Sequence, residues 1–513
     1  MSYRSLLYRN EPENPSRIDD APDFFIDLNL DHIVEGIEKP WQEFNLRKWL
    51  FYPLQEKADI QYRQETFTDL HDPEIRKAIR DLATGIASIQ RSIDSQVRLY
   101  DLQKEGWFLA TSRNYCTLVR NLEACLSGKD LRSTSMKMFW EYLLEYMQSA
   151  DFRTLEEDIR ETEKSLAHVR YNLVIKSDRV TVMATGDSNE EDYAKTVLEV
   201  FSKFRETNYQ PKEQDYRRFM GEGYVQAQIL GMIEKLYPRD IGNLRKFSAT
   251  HRNFIDETLL RLSREAPFYI SYLEYIAPLE EKDLQFCIPE FLEDQGVYAE
   301  ECFDLALSAK LSKEGGKPVT NSFRLDGNKR IIVVTGPNNG GKTTYARSIG
   351  QLFYLASLGL PVPARNAVLT VPDRIFTHFE RSESLENLRG KLEDDLVRIR
   401  HIIESSTAKS VVVINEMLSS TTVRDASGIG KRIIGLIREK SCFCIFVTFL
   451  DEFTRLDSTV SMVAQVDPEN PEIRTFRVLM EPSNGLAYAR ALARKHHVSE
   501  DEIRRRLADE KHT

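Results

Sequence analysis

Cysteine is scarce and scattered in this chain. Its six copies (Cys116, Cys125, Cys287, Cys302, Cys442 and Cys444) are too few and too dispersed for a disulfide framework, and the Cys442-Phe443-Cys444 pair lacks zinc-ligand spacing. They read as reduced core residues. Long apolar runs are missing as well, and the mean hydropathy is -0.43, which excludes a transmembrane helix and any membrane partnership built on one. The N-terminus, Met1-Ser2-Tyr3-Arg4, leads into a polar stretch ending near Pro22 without the apolar core or cleavage pattern of a secretory signal, so the expected location is cytoplasmic. An excess of positive charge is also lacking. A net charge of -10 and a pI of about 5.6 argue against coating nucleic acid by bulk charge, while leaving room for a local basic surface within a dimer.

What is present is a soluble-type composition, 41% hydrophobic and 29% charged, in 513 residues. That length exceeds what one core accommodates, so two or three domains are expected. Residues 1–24 read as an N-terminal tail. From about Phe24 to about residue 280, apolar residues recur at three and four positions and glycine is sparse, the pattern of a helical region. Within it, Leu155, Ile159, Thr162, Leu166 and Val169 keep near-heptad spacing. They give way to two alternating runs around Lys176-Ser177-Asp178-Arg179, which predicts a small β-hairpin near 171–183. The polar, acidic stretch 185–192 predicts a solvated loop.

After Pro289 the character changes. Ile331-Ile332-Val333-Val334, Val411-Val412-Val413-Ile414 and the run 442–447 are short and continuously apolar, as in strands of a mainly parallel sheet buried on both faces. Residues 460–466 and 474–479 flank a proline-containing turn and predict an antiparallel edge hairpin.

The segment Gly336-Pro337-Asn338-Asn339-Gly340-Gly341-Lys342-Thr343 matches Gly-x-x-x-x-Gly-Lys-[Ser/Thr] in full, after a strand and before a helix that begins near Thr344. Glycine at 336, 340 and 341 lets backbone N–H groups turn inward around phosphate oxygens. Lys342 supplies a cation to the terminal phosphates, and the Thr343 hydroxyl is placed to ligate magnesium. The alternative, a glycine-rich turn that binds nothing, does not explain the complete spacing in its required context. Hydrolysis needs a second strand ending in acidic groups, and Val411-Val412-Val413-Ile414-Asn415-Glu416 has that form. Glu416 is the candidate base. Asn415 stands where aspartate is usual, and its amide can still accept a hydrogen bond from a metal-bound water but brings no negative charge, so weaker magnesium affinity is expected. The bland alternative is that both residues merely cap the strand.

The run Thr335-Gly336-Pro337-Asn338-Asn339-Gly340-Gly341-Lys342-Thr343-Thr344 resembles the phosphate loop of the MutS family of DNA mismatch-repair ATPases. The resemblance continues in order through Asn415-Glu416-Met417-Leu418-Ser419-Ser420-Thr421-Thr422, Phe446-Val447-Thr448-Phe449 and Asn484-Gly485-Leu486-Ala487-Tyr488-Ala489-Arg490, and covers roughly residues 286–513. More weakly, Asp27-Leu28-Asn29-Leu30-Asp31 and Leu50-Phe51-Tyr52-Pro53-Leu54 are similar to the family's core and lever segments. The resemblance implies an α/β P-loop NTPase domain with a mostly parallel, ABC-type sheet over 286–513, ending in a C-terminal helical dimerisation segment. A mainly α-helical core and lever region over 25–285 would precede it. It also implies ATP and magnesium as cofactors, a homodimer, and DNA as partner. In that family one subunit's loop holds nucleotide and the other subunit completes the site, which makes Ser419, Ser420 and Thr421 candidates acting across the dimer.

Departures from the family pattern are Asn415 for Asp, Leu418-Ser419-Ser420 for Gly-Arg-Gly, and Phe449 for a histidine after Thr448, so slow or differently gated turnover is expected. Where the family places a Ser or Thr that senses the γ-phosphate, this chain has Leu388-Arg389-Gly390-Lys391. Lys391 either supplies charge there or forms an ordinary i,i+4 pair with Asp395. Leu392, Leu396, Ile399 and Ile403 predict a packing face. No N-terminal wedge module for reading mismatches is expected, Phe291-Leu292-Glu293 is a chance match to its motif, and no nuclease extension is expected. The basic residues from Arg490 to Arg506, interrupted by Glu500-Asp501-Glu502, favour a solvated helix or dimerisation arm over a DNA contact. The expected function is ATP-driven clamping of mismatched, damaged or branched DNA. The alternative is a nucleotide-gated protein-interaction dimer with weak hydrolysis and no DNA role, and a more remote one is an ABC-type partner of a transporter.

Overall fold

The computed structural model describes residues 3–10, 21–95, 101–176, 179–185, 224–292, 296–327, 329–380, 391–418, 421–467 and 473–483. The chain forms two compact units. The first comprises Met1–Tyr3, Asp72–Leu131 and Met136–Ala266, and the second comprises Arg4–His71, Arg132–Ser135 and Pro267–Thr513. The units part at residues 71–72 and 266–267 rather than near 285, so Arg4–His71 belongs with the C-terminal α/β region.

In chain order, the second unit opens with α1 (Phe24–Asp27), α2 (Leu30–Glu38), α3 (Arg47–Leu50) and α4 (Lys57–Leu70). The stretch read as a tail is partly core. Leu6 and Leu7 are fully buried, and their carbonyls accept from Tyr269 Oη at 2.6 Å and Arg63 Nε at 3.0 Å. Two adjacent leucines are too short a run to display a period, which is why the pattern missed them.

The first unit is helical: α5 (Pro73–Ser95), α6 (Asp101–Leu126), α7 (Thr134–Gln148), α8 (Ala150–Leu166), α9 (Tyr224–Leu236) and α10 (Pro238–Thr250). On α5, Ile75, Ile79, Leu82, Ile86 and Ile89 are buried at helical spacing. Leu155, Ile159 and Thr162 are buried on α8, whose first turn is capped by Ser149 accepting from Phe152 N. The predicted hairpin is present as β1 (Tyr171–Lys176) and β2 (Arg179–Ala184), antiparallel with Tyr171 opposite Ala184. The predicted loop at 185–192 lies outside the described residues beyond Thr185. Helix α11 (Glu257–Glu280) carries Pro267 in its interior, where the second unit resumes.

The remainder holds β3 (Glu290–Phe291), β4 (Val297–Cys302), α12 (Leu305–Lys313), β5 (Asn321–Leu325), β6 (Ile331–Thr335), α13 (Lys342–Ser357), β7 (Asn366–Leu369), β8 (Ile375–Phe379), α14 (Lys391–Ser405), β9 (Val411–Asn415), α15 (Val423–Lys440), β10 (Phe443–Val447), β11 (Thr459–Val466) and β12 (Arg474–Met480). Phe291 is a buried core residue on β3. A four-stranded sheet has the order β3-β7-β4-β5, and a six-stranded sheet the order β12-β11-β6-β10-β9-β8. In the latter, β8 pairs parallel with β9, β9 with β10, β10 with β6 and β6 with β11, while β12 closes one edge antiparallel to β11.

Every residue of β6, β9 and β10 is buried, which is why these strands read as unbroken apolar runs. On one face, Ile433, Ile434 and Ile437 of α15 pack with Ile399 and Ile402 of α14 against Val333, Val412 and Ile414. The predicted α14 face holds, with Leu392, Leu396 and Ile403 partly buried against the same cluster. On another, Phe353 of α13 meets the Phe443 ring at 4.8 Å.

Candidate functional site: a glycine-rich loop facing a carboxylate strand end

Strand order reverses around β6, because the chain runs through β8, β9 and β10 on one side of it and then crosses to β11 on the other. In open α/β sheets such a switch point, at the carboxyl ends of the strands, is where a crevice forms. Val447 of β10 pairs with both Val334 and Asn415. That register sets Thr335-Gly336 and Asn415-Glu416 at the same end of the sheet.

The loop from Gly336 to Gly341 depends on two glycines in particular. Gly336 has φ 123°, and a Cβ there would lie 2.8 Å from the carbonyl oxygen of Ala464 on β11. Gly341 has φ 89° at the N-cap of α13. Asn339 also adopts the left-handed region, at φ 59°. Gly340 N donates to Pro337 O at 3.2 Å, closing the turn.

The loop folds around Lys342, whose side chain is only 3% exposed. Its Nζ donates to Gly336 O at 3.0 Å, Pro337 O at 3.3 Å and Asn338 Oδ1 at 3.3 Å, and stands 3.4 Å from Glu416 Oε1. The next residue, Thr343, donates its hydroxyl to Asn415 Oδ1 at 3.0 Å. The structure therefore brings Lys342, Thr343, Asn415 and Glu416 together from two strand ends. Glu416 has φ 51° and Leu418 φ 64°. Two non-glycine residues in this region within three positions store strain of about 1–3 kcal/mol each, and Glu416 N is held to Val447 O at 3.0 Å.

Lys342, Thr343 and Glu416 line a cleft of about 730 Å³ together with Val319, Asn321, Leu307, Asp304 and Phe476. Thr344 lines it too, beside the loop. Burial pushes the Asp304 carboxyl up from its usual value, although it accepts from Leu307 N and Gln351 Nε2. Sequence reasoning missed Phe476, which is half exposed, has φ 58° within β12, and sits over the loop with its ring 3.5 Å from where a Gly341 Cβ would be. Asn321 holds it by donating Nδ2 to Phe476 O at 3.1 Å and accepting from Val478 N at 2.7 Å.

Of the positions expected to act across a dimer, Thr421 is half buried just before α15, whereas Ser419 and Ser420 lie outside the described residues. Lys391 begins α14 and its side chain is likewise outside them. Asp395 stands 3.4 Å from His378 Nε2 in the interior. Thr448 is buried and Phe449 is 49% exposed. Residues 484–490 and the basic stretch beyond lie outside the described residues. The expected magnesium pair is joined by the Thr343–Asn415 hydrogen bond, which leaves the Thr343 hydroxyl its lone pairs, and Glu416 stands beside Lys342. No cluster of three or more His, Cys, Asp or Glu side chains that could hold a metal occurs among the described residues.

The upstream segments dock on α13. Arg347 Nε donates to Asp27 O at 2.8 Å, Gln351 Nε2 to Leu28 O at 2.8 Å and Leu54 N to Ser357 O at 2.8 Å.

Residues 332–490 match the family described as MutS domain V, and similarity to MutS proteins extends over 84% of the chain. Residues 332–490 thus carry a MutS domain V. Among its relatives, the DNA mismatch repair protein MutS of Thermotoga petrophila is 23% identical over 469 residues, covering 84% of this chain and 56% of that protein. The MutS of Clostridium kluyveri is 27% identical over 245 residues, 47% of this chain and 27% of that protein. The MutS of Brevibacillus brevis is 30% identical over 184 residues, 36% of this chain and 21% of that protein. The chain thus spans about half or less of the length of these relatives. The MutS domain V match begins within β6 and encloses the loop, β9 and the β11–β12 hairpin, an ATPase-type α/β domain. No helix among the described residues is long and apolar enough to cross a membrane.

Proposed function

We propose that this MutS-family chain binds ATP on the loop 336–343, hydrolyses it slowly, and as a homodimer couples nucleotide state to clamping of mismatched, damaged or branched DNA in the cytoplasm. The observation that carries the reading is Lys342, buried among loop carbonyls 3.4 Å from Glu416 and lining a cleft of about 730 Å³, large enough for a nucleotide.

The loop's N–H groups and the N-terminus of α13 favour phosphate. Lys342 exchanges its carbonyl partners for terminal phosphate oxygens, a stronger charge-assisted pairing. That exchange loosens the Lys342–Glu416 contact and frees the Glu416 carboxylate to polarise an attacking water. In the same cleft the Phe476 ring, which lies over the loop, and the Val319 side chain offer apolar surface for a purine. Magnesium carried in by the nucleotide would neutralise phosphate charge, with Thr343 as the facing hydroxyl. Slow turnover follows from a base that is ion-paired in the resting site and a neutral Asn415 beside it.

DNA enters through kinship with proteins named for DNA mismatch repair. A second reading, a nucleotide-gated protein-interaction dimer, draws on the exposed Phe449 at the strand ends. Titrating duplex, mismatched and four-way-junction DNA against salt, with and without ATP, separates the two. Salt-dependent binding that responds to ATP supports the first, and its absence on all three substrates leaves only the second. For the site itself, Lys342→Ala should weaken ATP binding by about tenfold to a hundredfold, the worth of charged hydrogen bonds. Glu416→Gln should keep binding and lower turnover by about a hundredfold or more, and normal turnover in Glu416→Gln would sink the base assignment.

A further inference from the structure

Two free sheet edges meet beside the nucleotide cleft. β12 ends the six-stranded sheet and β5 ends the four-stranded one, and the Asn321 side chain, at the start of β5, joins them. It donates Nδ2 to Phe476 O at 3.1 Å and accepts from Val478 N at 2.7 Å. Those are the two bonds that one residue of a parallel strand would make to this edge. The Val478 N–H and carbonyl therefore point away from β11. Met480, two positions on and opposite Met462, turns its N–H the same way, since these groups alternate sides along a strand. Val478 O and Met480 N form the next rung of a ladder that Asn321 fills for a single step. Neither has a partner on that side among the described residues.

That rung borders a groove of about 720 Å³ lined from β4, β5 and β12. Its charged lining is three arginines, Arg324, Arg365 and Arg477, against two glutamates, Glu300 and Glu301. Both glutamates face Arg365, at 3.0 Å and 3.6 Å. Arg324 pairs with Asp326 at 2.9 Å and lies over the Tyr298 ring. Arg477 makes no ion pair among the described residues. Close to it on β12, Leu479 is 49% exposed and Met480 55%. An open rung, an uncompensated guanidinium and exposed apolar side chains in one place suit an extended chain that carries both carboxylates and apolar groups. Main-chain bonds to the edge supply pairing, and arginine takes a carboxylate through two parallel bonds.

We infer that this groove docks a short, extended acidic segment of a partner protein, which pairs with β12 at Val478 and Met480 and sets a carboxylate on Arg477. The inference stands apart from the nucleotide reading. Fluorescence anisotropy of the full chain with a short end-blocked peptide of alternating glutamate and valine tests it. A dissociation constant of about 100 µM or tighter is expected, with the lysine and valine counterpart about tenfold weaker. Arg477→Glu should weaken the acidic peptide about tenfold or more, and Met480→Pro, which removes the free N–H at an edge where proline is tolerated, about threefold or more. A second measurement needs no variant. The peptide N-methylated at its valines and the peptide N-methylated at its glutamates have opposite edges blocked, so one should lose binding and the other keep it. Equal affinities of the two methylated peptides, or of the acidic and basic peptides, overturn the inference, as does the absence of binding at about 1 mM. If no peptide binds and Met480→Pro lowers the mass of the chain in sedimentation, the edge belongs to a second copy of the chain and the inference is likewise overturned.

Discussion

Gly336 carries two independent demands, a φ of 123° and a gap too narrow for a methyl group against the Ala464 carbonyl. Gly336→Ala meets both a conformational penalty and a backbone clash, and a loss of about 1–3 kcal/mol or more is expected, read as a lower midpoint in urea unfolding. The cysteines give a second residue-level test. Burial pushes the Cys116, Cys287 and Cys302 thiols up to about 12 and Cys442 up to about 11. At neutral pH these groups hold almost no thiolate, so a disulfide reagent should label them slowly in the native chain, and all six cysteines should react quickly in denaturant. Lys342 and Glu416 were legible because each sits in a local spacing pattern next to an apolar strand. Phe476 and Asn321 were not, since they are 155 positions apart and no local pattern links them. The left-handed backbone of Glu416 was equally invisible, because nothing about a glutamate announces it.

At the scale of elements, α13 joins the loop to the segments upstream. Gln351 is fully buried and makes three bonds from its one amide, accepting from Leu305 N at 2.8 Å and donating to Leu28 O at 2.8 Å and Asp304 Oδ1 at 2.9 Å. Gln351→Leu keeps the volume and strands all three partners. A cost on the order of 1–3 kcal/mol for each group left unsatisfied is expected, checked by chemical denaturation. Hydrogen exchange should show faster exchange at Leu305 N, whose partner is removed. The central strands were readable as elements because burial on both faces leaves uninterrupted Val, Ile and Phe. The docking of residues 27–28 on α13 was not readable, since Gly350 and Gln351 look like unremarkable helix positions. Only the fold shows that a Cβ on Gly350 would come within 2.7 Å of Leu28.

For the molecule as a whole, the two units are interleaved along the chain. The second collects Arg4–His71 and Pro267–Thr513, with Arg132–Ser135 between them, and the first fills the intervening stretches. The short visit is well anchored, since Asp69 accepts from Arg132 N at 2.8 Å, Ser133 N at 2.9 Å and the Ser133 hydroxyl at 2.5 Å. Separate cores of this kind unfold as separate cooperative steps unless their interface is large and apolar. All the residues assigned to nucleotide belong to the second unit. Calorimetry should accordingly resolve two transitions, and ATP should raise only one. At a concentration about a hundredfold above its dissociation constant, the ligand stabilises the unit that binds it by about 2.7 kcal/mol. At the same ATP concentration Lys342→Ala, binding about tenfold to a hundredfold more weakly, should cut that stabilisation to about 0.4–1.4 kcal/mol without moving the other transition. A shift of both transitions together, in the same proportion, would mean instead that the two units unfold as one and that nucleotide energy reaches the helical unit directly.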